Sequence, residues 1–227
     1  MKKVVIVMLM FFLLASFSVF AQEILAKDTF SSMGSWEPAA GKWVVKSGAL
    51  YQTDANDALA KINRRVTQSG PIQYEFDIKY VDGGLDGHAG FGIQVFIDQA
   101  HKGRSWGNGK SILLWLNYDV NTKDTKHYGF RGQVYKSLSH SKMELMEDYN
   151  IRIPTSYLKM EYLNLTIPVK LKLFPDTGEV RVYNPARKNY YYRFYLPGFA
   201  AGARGSYISL RTNSLSAMFD DVVVSEM

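Results

Sequence analysis

Apolar and polar side chains alternate with a period of two along much of this chain, and residues 72–80 show the pattern most clearly. The two alternating sets are Ile72, Tyr74, Phe76, Ile78 and Tyr80 on one side and Gln73, Glu75, Asp77 and Lys79 on the other. Successive side chains of an extended strand point to opposite faces of a sheet. Residues 72–80 are therefore predicted to form a β-strand with one buried face.

Further strand-like segments follow one another at short intervals. They cover residues 41–52 (two strands around a turn at 46–48), 90–98, 111–118, 128–135, 165–174, 178–183, 190–196, 205–211 and 217–224. Residues 58–65 are ambiguous because the spacing of Leu59 and Ile62 also allows a helical turn, but the context favours a strand. Pro175 and Gly178 supply the turn chemistry of a hairpin, since proline presets φ and glycine accepts positive φ.

Residues 137–164 interrupt this rhythm. Met143, Met146 and the acidic residues around them predict a short helix, and Pro154 follows. We interpret the segment as a short helical or irregular insertion on a rim, because it is too short to have its own core. The predicted fold class is an all-β, two-sheet antiparallel β-sandwich whose last strand returns beside the first.

The first 21 residues have the features of an export signal. Lys2 and Lys3 precede an unbroken apolar run over residues 4–14, and Val19 and Ala21 stand where a signal peptidase reads. The run is shorter than the roughly 20 residues that span a bilayer. No cysteine follows that could carry a lipid anchor. We expect a periplasmic or secreted protein, not a lipoprotein, with residues 22–227 as a single β-sandwich domain and no membrane span.

Charge and cysteine content exclude several classes of function. Beyond the two lysines of the signal, the chain carries 25 basic and 21 acidic side chains, a net charge of +4, with the signs interspersed. Nucleic-acid-binding proteins show clustered lysine and arginine, so we expect no nucleic-acid partner. The absence of cysteine removes disulfides, thiol nucleophiles and zinc–thiolate sites, and the four histidines lack metal-ligand spacing.

The order of the predicted elements resembles the concanavalin A-like jelly roll, in the branch with laminin-G-like and secreted glucanase-like domains. The segments that carry the resemblance are Asp28-x-Phe30 with Trp36, the 41–50 hairpin around Trp43 and Gly48, the 170–180 hairpin, and the closing pair 205–210 and 219–222. The resemblance implies a sandwich with a concave sheet. It does not by itself imply a function, since one fold hosts many.

A glucanase-type activity would need a strand with carboxylates at alternate positions. Glu75 and Asp77 begin such a pattern, but Lys79 stands where the third carboxylate is required. The pair that cleaves a glycosidic bond consists of a nucleophile and an acid/base. This strand therefore lacks a proton donor, and Glu75, Asp77 and Lys79 are interpreted as a solvated strand face. A hydrolase is the third of three candidate functions.

Carbohydrate binding is the leading candidate function. The resemblance implies that exposed aromatic side chains of the concave sheet stack on sugars while amides and charges bind hydroxyl groups. The predicted ligand-binding residues on neighbouring strands are Gln94, Phe96, Trp115, Asn117, Arg131 and Tyr135. The alternative is that Trp115 and Phe96 belong to the core, because several of these strands are apolar on both faces.

Two further sites are expected. Related domains hold a structural Ca²⁺ with an acidic residue of the last strand, which implies Asp28 together with Asp221 (or Asp220) here. Tyr191, Arg193 and Tyr195 share one face of the 190–196 strand, and tyrosine with arginine is typical of protein interfaces. The alternative function is therefore a structural subunit or accessory protein of a cell-envelope or extracellular appendage assembly, such as a periplasmic flagellar sheath.

Overall fold

Two antiparallel sheets packed face to face form the protein, which is described by a computed structural model over residues 22–84, 89–119, 129–146, 151–152, 165–196 and 203–227. The predicted export signal lies outside these residues. The predicted all-β, two-sheet sandwich is confirmed. No helix in the described part of the chain is long and apolar enough to cross a membrane.

Sheet A has the strand order β14-β13-β12-β6-β16-β4-β3, and β1 also pairs with β16. Its strands are β1 (Ile24–Asp28), β3 (Trp43–Lys46), β4 (Ala49–Gln52), β6 (Ile72–Gly83), β12 (Ile167–Phe174), β13 (Glu179–Tyr183), β14 (Tyr191–Tyr195) and β16 (Leu215–Glu226). The pairing of Asp28 with Val222 places the last strand beside the first, as predicted.

Sheet B has the order β10-β9-β8-β7-β15-β5-β2, and β11 pairs with β9. Its strands are β2 (Trp36–Ala40), β5 (Ala60–Ser69), β7 (Gly90–Ile97), β8 (Ser111–Asp119), β9 (Gly129–Ser137), β10 (Met143–Leu145), β11 (Ile151–Arg152) and β15 (Arg204–Asn213). The chain passes from sheet B to sheet A at Ser214, whose φ is +51°. The closing pair of strands is therefore a corner between sheets and not a hairpin.

The core lies between the sheets and is built from the alternating apolar positions. Tyr74, Phe76 and Ile78 of β6 point into it, as the period of two predicts. Phe219 of β16 packs against both Trp43 and Phe76, with ring centroids 6.0 Å and 6.4 Å apart. Burial of this apolar surface is the main source of stability in a chain without disulfides.

A buried glutamine ties the two sheets together inside the core. The Tyr74 hydroxyl donates to Gln68 Oε1 over 2.7 Å, and the Phe96 backbone N–H donates to the same oxygen over 3.0 Å. Gln68 Nε2 donates in turn to the Val66 and Tyr207 carbonyls. This arrangement links β6 of sheet A to β5, β7 and β15 of sheet B.

One predicted element is wrong in type. Residues 143–145 form β10, which pairs with β9 through Met143–Ser137 and Leu145–Tyr135, and not the predicted helix. The backbone hydrogen bonds of a neighbouring strand outweigh the weak helical pattern there, because tertiary pairing overrides propensity over short segments. The rest of the predicted insertion falls largely on residues 147–150 and 153–164, outside the described part of the chain.

Candidate functional site

The face of sheet B that points away from the core carries polar side chains on five neighbouring strands. We call it the outer face of sheet B, and its members are Lys61 and Asn63 (β5), Ser209 and Arg211 (β15), Gln94 (β7), Trp115 and Asn117 (β8), and Gln133 and Tyr135 (β9). The intervening positions, such as Ile62, Leu210 and Leu114, belong to the core. Strict alternation therefore assigns this set to the opposite face.

Cross-strand register aligns these side chains in rows. Lys61 lies opposite Arg211, Arg211 opposite Gly92, and Gly92 opposite Trp115. Trp115 in turn lies opposite Gln133. The next row runs from Asn63 through Ser209 and Gln94 to Leu113 and Tyr135. Strands β15 and β8 are two strand spacings apart, or about 10 Å.

The segment from residue 98 to residue 110, here called the 98–110 loop, covers part of this face. The Lys61 ammonium donates to the Ser105 hydroxyl and to the carbonyls of Ser105 and Gly107, both at 3.2 Å. The Trp106 ring meets the Tyr135 ring edge-on with centroids 5.7 Å apart. Asn108 Nδ2 donates to Asn63 Oδ1 over 3.0 Å. The loop thus occupies polar groups of the face with its own backbone.

Two cations are fully buried beneath this loop. Lys61 is 0 % exposed and Arg211 is 2 % exposed. Arg211 Nη1 donates to Gln94 Oε1 and to the Trp106 carbonyl, both over 2.8 Å, and Nη2 donates to the Ser105 carbonyl over 3.1 Å. Burial, and next the charge of Arg211, lower the pKa of Lys61 to about 7. Burial lowers the pKa of Arg211 to about 10.

Three buried polar atoms of the outer face have no hydrogen-bond partner in the part of the chain that the structure describes. They are Asn117 Oδ1, Ser209 Oγ and Arg211 Nε, all within the span from β15 to β8. A buried polar group without a partner costs roughly 1–3 kcal/mol. In a native protein such an atom calls for an explanation, and a site for a hydrogen-bonding ligand is one.

The predicted ligand-binding residues are only partly brought together. Gln94, Trp115, Asn117 and Tyr135 share the outer face of sheet B, although Trp115 is only 4 % exposed. The backbone of Arg131 pairs with Asn117 in β9, and its side chain lies outside the described part of the structure. A ligand can therefore stack on the Trp115 ring only if the groups that bury this ring move aside.

Phe96 does not join this face, which corrects the alternation predicted for residues 90–98. Its φ is +53°, and the β7–β15 register shifts beside it. This bulge turns the ring inward, where it packs in the core and is 3 % exposed. A bulge inserts one extra residue and so inverts the alternation beyond it. A strict period of two cannot reveal it.

Lys61, Asn63, Ser209 and Arg211 belong to the face but were not predicted from the sequence. Each alternates with a core residue in its strand, as Arg211 does with Leu210. That alternation was visible, but it does not separate a buried outer face from a solvated one. The cover that buries Lys61 and Arg211 comes from the 98–110 loop, whose path the sequence does not reveal.

The structure places Asp28, one of the predicted calcium ligands, in a hydrogen-bond network. Asp28 Oδ2 accepts hydrogen bonds from Arg64 Nη1 and Trp36 Nε1, both over 2.9 Å, and Oδ1 accepts from the Phe30 N–H over 2.8 Å. Its carboxylate thus forms a half-buried ion pair with Arg64. In the described residues, no group of three or more histidine, aspartate or glutamate side chains is arranged to hold a metal.

An acidic cleft of about 420 Å³ lies on the opposite side of the molecule, on the outer face of sheet A. Glu75, Asp77 and Asp221 line it together with Lys170. Glu75 pairs with Lys170 over 2.9 Å. Burial, and next the charges of Asp221 and Asp220, raise the pKa of Asp77. The cleft brings together carboxylates that are far apart in sequence.

The predicted partner-binding residues lie on strand β14, which pairs only with β13 among the described strands. Tyr191, Arg193 and Tyr195 share its outward side, whereas Tyr192 and Phe194 pack against the core. Tyr195 is 52 % exposed. Tyr191 stacks near Arg181, whose guanidinium lies 5.2 Å from the ring centroid. The result is an aromatic, cationic edge on sheet A.

The sequence matches no family model and no curated protein. Solved structures, in contrast, are similar over most of the chain. Carbohydrate binding module CBM66 from Bacillus subtilis aligns with a TM-score of 0.59 at 14 % identity, covering 85 % of this chain and 96 % of the module. The CBM2 module of the evolved Dit protein of Lactobacillus casei BL23 phage J-1 also gives 0.59, at 11 % identity, with 90 % and 95 % covered.

The carbohydrate recognition domain of Emp47p is similar too, with a TM-score of 0.55 at 11 % identity, covering 89 % of this chain and 94 % of that domain. Identities this low establish the shared β-sandwich fold alone. The concanavalin A-like branch remains an expectation from the sequence.

Proposed function

We propose that this chain is an exported, non-catalytic β-sandwich that binds carbohydrate on the outer face of sheet B. The observation that carries the proposal is the set of polar atoms without a hydrogen-bond partner among the described residues, Asn117 Oδ1, Ser209 Oγ and Arg211 Nε, on the face that also carries Trp115. Saccharide hydroxyl groups both donate and accept hydrogen bonds, so they complement such a set. An indole next to polar groups is the usual composition of a sugar site.

The similar structures support the same proposal. Two are named as carbohydrate-binding modules and one as a carbohydrate recognition domain. These names describe those proteins. For this chain, carbohydrate binding is proposed because of the side chains on the outer face of sheet B. Because the 98–110 loop contacts Lys61, Asn63 and Arg211, binding requires at least part of the loop to move aside.

A glycan array of the chain without residues 1–21 tests the proposal. Asn117→Ala and Gln133→Ala remove polar groups from the outer face of sheet B and are expected to reduce saccharide binding at least tenfold. Gln73→Ala is the matched control, because Gln73 is equally buried but lies in β6 of sheet A. Binding that is unchanged in both test variants, or lost equally in the control, contradicts the assignment to this face.

A second candidate function is that of a structural subunit in a cell-envelope or appendage assembly. The exposed edge of β14, with Arg193 and Tyr195 on its outward side, favours it. An unpaired edge strand offers backbone groups to a partner strand, and tyrosine with arginine is enriched at interface hot spots. Stoichiometric recovery of one envelope assembly, together with a silent glycan array, would replace carbohydrate binding by this function.

A further inference from the structure

The two buried cations of the outer face of sheet B lack a counter-charge. Lys61 and Arg211 lie directly opposite each other on β5 and β15. Among the described residues, neither forms an ion pair with a carboxylate, and all their partners are carbonyl, amide or hydroxyl oxygens. Buried charges are normally paired with an opposite charge, because desolvation of an isolated ion is costly. This arrangement is therefore unusual for a purely structural cluster.

The 98–110 loop supplies neutral oxygens where a negative group would be expected. The carbonyls of Ser105, Trp106 and Gly107 converge on the two cations. A carboxylate would add the attraction between opposite charges to hydrogen bonds that now join an ionised donor to a neutral oxygen. A carboxylate that replaced these carbonyls would interact with both cations and would neutralise part of the buried charge.

Arginine geometry favours such a replacement. A guanidinium presents its N–H groups as a planar fork that matches a carboxylate. In Arg211 the Nε group has no partner, and Nη1 and Nη2 hold only carbonyl and amide oxygens. Asn117 Oδ1 and Ser209 Oγ, also without partners, lie within one or two strands of it and suit hydroxyl groups of the same ligand.

We propose that Lys61 and Arg211 form the carboxylate-binding subsite of the carbohydrate site, that its ligand is an acidic saccharide, and that the carbonyls of residues 105–107 occupy the subsite when no ligand is bound. This inference rests on the proposed function and names its ligand class. Since among the described residues no acidic side chain stands beside Lys61 or Arg211, a neutral saccharide would leave the charge of Arg211 uncompensated, and that of Lys61 whenever its ammonium group is protonated.

The loop is fastened at its exposed side by an ion pair that is separate from the subsite. Arg104 Nη2 lies 2.6 Å from Asp57 Oδ1, and Arg104 also donates to the Ala58 carbonyl. If the closed loop competes with the ligand, the apparent affinity is the intrinsic affinity multiplied by the fraction of molecules in which the loop is open. Loss of the Arg104–Asp57 ion pair should therefore tighten binding of the acidic saccharide without any change in the subsite.

The test is isothermal titration calorimetry of the chain without residues 1–21, in 150 mM salt to suppress long-range attraction to its net positive charge. The ligands are oligomers of galacturonate, glucuronate and mannuronate and a sialylated oligosaccharide, each beside its methyl ester and a neutral oligomer. We expect at least one free acid to bind tenfold or more tightly than its ester. Esters and neutral oligomers that bind as well as every acid would overturn the inference and leave the proposed function standing.

Substitutions show which side chains cause the preference for the free acid over its methyl ester. Lys61→Met and Arg211→Met are expected to abolish it, and Lys172→Met, which removes a half-buried lysine from β12 of sheet A, should keep it. Thermal unfolding identifies any variant that fails to fold. If Arg211→Met does fail, Lys61→Met and Arg104→Ala remain informative, since Arg104→Ala should tighten acid binding at least threefold.

Three results overturn the inference in different ways. An acid preference that survives Lys61→Met but is lost in Lys172→Met would place the anion on sheet A. Weaker acid binding in Arg104→Ala would exclude the loop as a competitor. Failure of every saccharide to bind would remove the proposed function together with this inference.

Discussion

The indole of Trp115 lies directly against Gly90 of the neighbouring strand. A Cβ atom on residue 90 would lie 2.4 Å from Cε2 of the indole, closer than any real contact. Gly90 pairs with Asn117, so the missing side chain leaves the space that the ring fills. The absence of one Cβ on β7 therefore sets the position of the main aromatic group on the outer face of sheet B.

Gly90→Ala is the substitution that tests this relationship. We expect it to lower the free energy of unfolding by about 1–3 kcal/mol, because overpacking forces the ring or the backbone to shift. Saccharide binding should weaken as well, since Trp115 moves. Chemical denaturation measures the first effect and titration the second. Gly103→Ala is the control, because a Cβ there would make only ordinary contacts, the nearest at 3.5 Å. Equal stability of the two variants would contradict the packing argument.

The buried Lys61 makes stability depend on pH. Its pKa is lowered from 10.5 to about 7, first by burial and next by the charge of Arg211. Between pH 7 and pH 10 the unfolded chain therefore binds more protons at this site than the folded chain does, so the free energy of unfolding rises with pH. From pH 7 to pH 9 the expected gain is about 2 kcal/mol, since one pH unit contributes at most ~1.4 kcal/mol per proton.

Denaturation of Lys61→Met over the same pH range isolates this effect from other groups. The charged and titratable side chains nearest to Lys61 are Arg211 on β15 and His101 in the 98–110 loop, and both remain in the variant. The rise in stability from pH 7 to pH 9 should be smaller by about 2 kcal/mol than in the original chain. An identical pH profile in the two proteins would show that Lys61 keeps an ordinary pKa.

Asp28 is predicted to act through Arg64 and Trp36 and not through a metal. Asp28→Asn should lower the free energy of unfolding by about 2 kcal/mol, because it removes the charged acceptor that the half-buried guanidinium of Arg64 uses. The loss should be the same with millimolar Ca²⁺ and with a chelator. Asp54→Asn is the matched control: its ion pair with Lys42 is solvent-exposed, and exposed pairs contribute about 0–1 kcal/mol. A calcium-dependent loss at Asp28 would restore the metal hypothesis.

The edge strand β14 should affect association and not stability. Arg193→Glu and Tyr195→Ser change exposed side chains, so we expect unfolding free energies within about 0.5 kcal/mol of the original chain. If the chain is a structural subunit, both substitutions should abolish its co-purification with the envelope assembly. Lys142→Glu is the control, because Lys142 is also exposed but precedes β10 of sheet B. Unchanged recovery of all three variants would exclude β14 as the interface.

The strand content was predictable because burial of one face imposes a period of two on the sequence. Residues 72–80 illustrate this, since Tyr74, Phe76 and Ile78 all lie in the core. The prediction was wrong where long-range pairing outweighs a local pattern. Met143 and Met146 have helical spacing, but hydrogen bonds to β9 hold residues 143–145 in a strand. At Phe96 a bulge reverses the alternation of the two faces, and the residue types there do not predict this bulge.

The candidate site was predictable only in part, for the same reason. Gln94, Trp115, Asn117 and Tyr135 were found because adjacent strands with matching alternation present their polar positions to one face. Lys61 and Arg211 are 150 positions apart in the chain, and only the β5–β15 register brings them together. Their burial depends on the carbonyls of residues 105–107, which come from a third part of the chain.

The all-β class, most of the strands and the turns that join neighbouring ones could be predicted from the sequence, because each of these follows from interactions within a few residues. Long-range contacts set which strands are neighbours, which faces are covered, and which charges lack a counter-charge among the described residues. Those properties depend on hydrogen bonding and desolvation between distant segments. The pair formed by Lys61 and Arg211 is the clearest example of a feature that depends on contacts between distant segments.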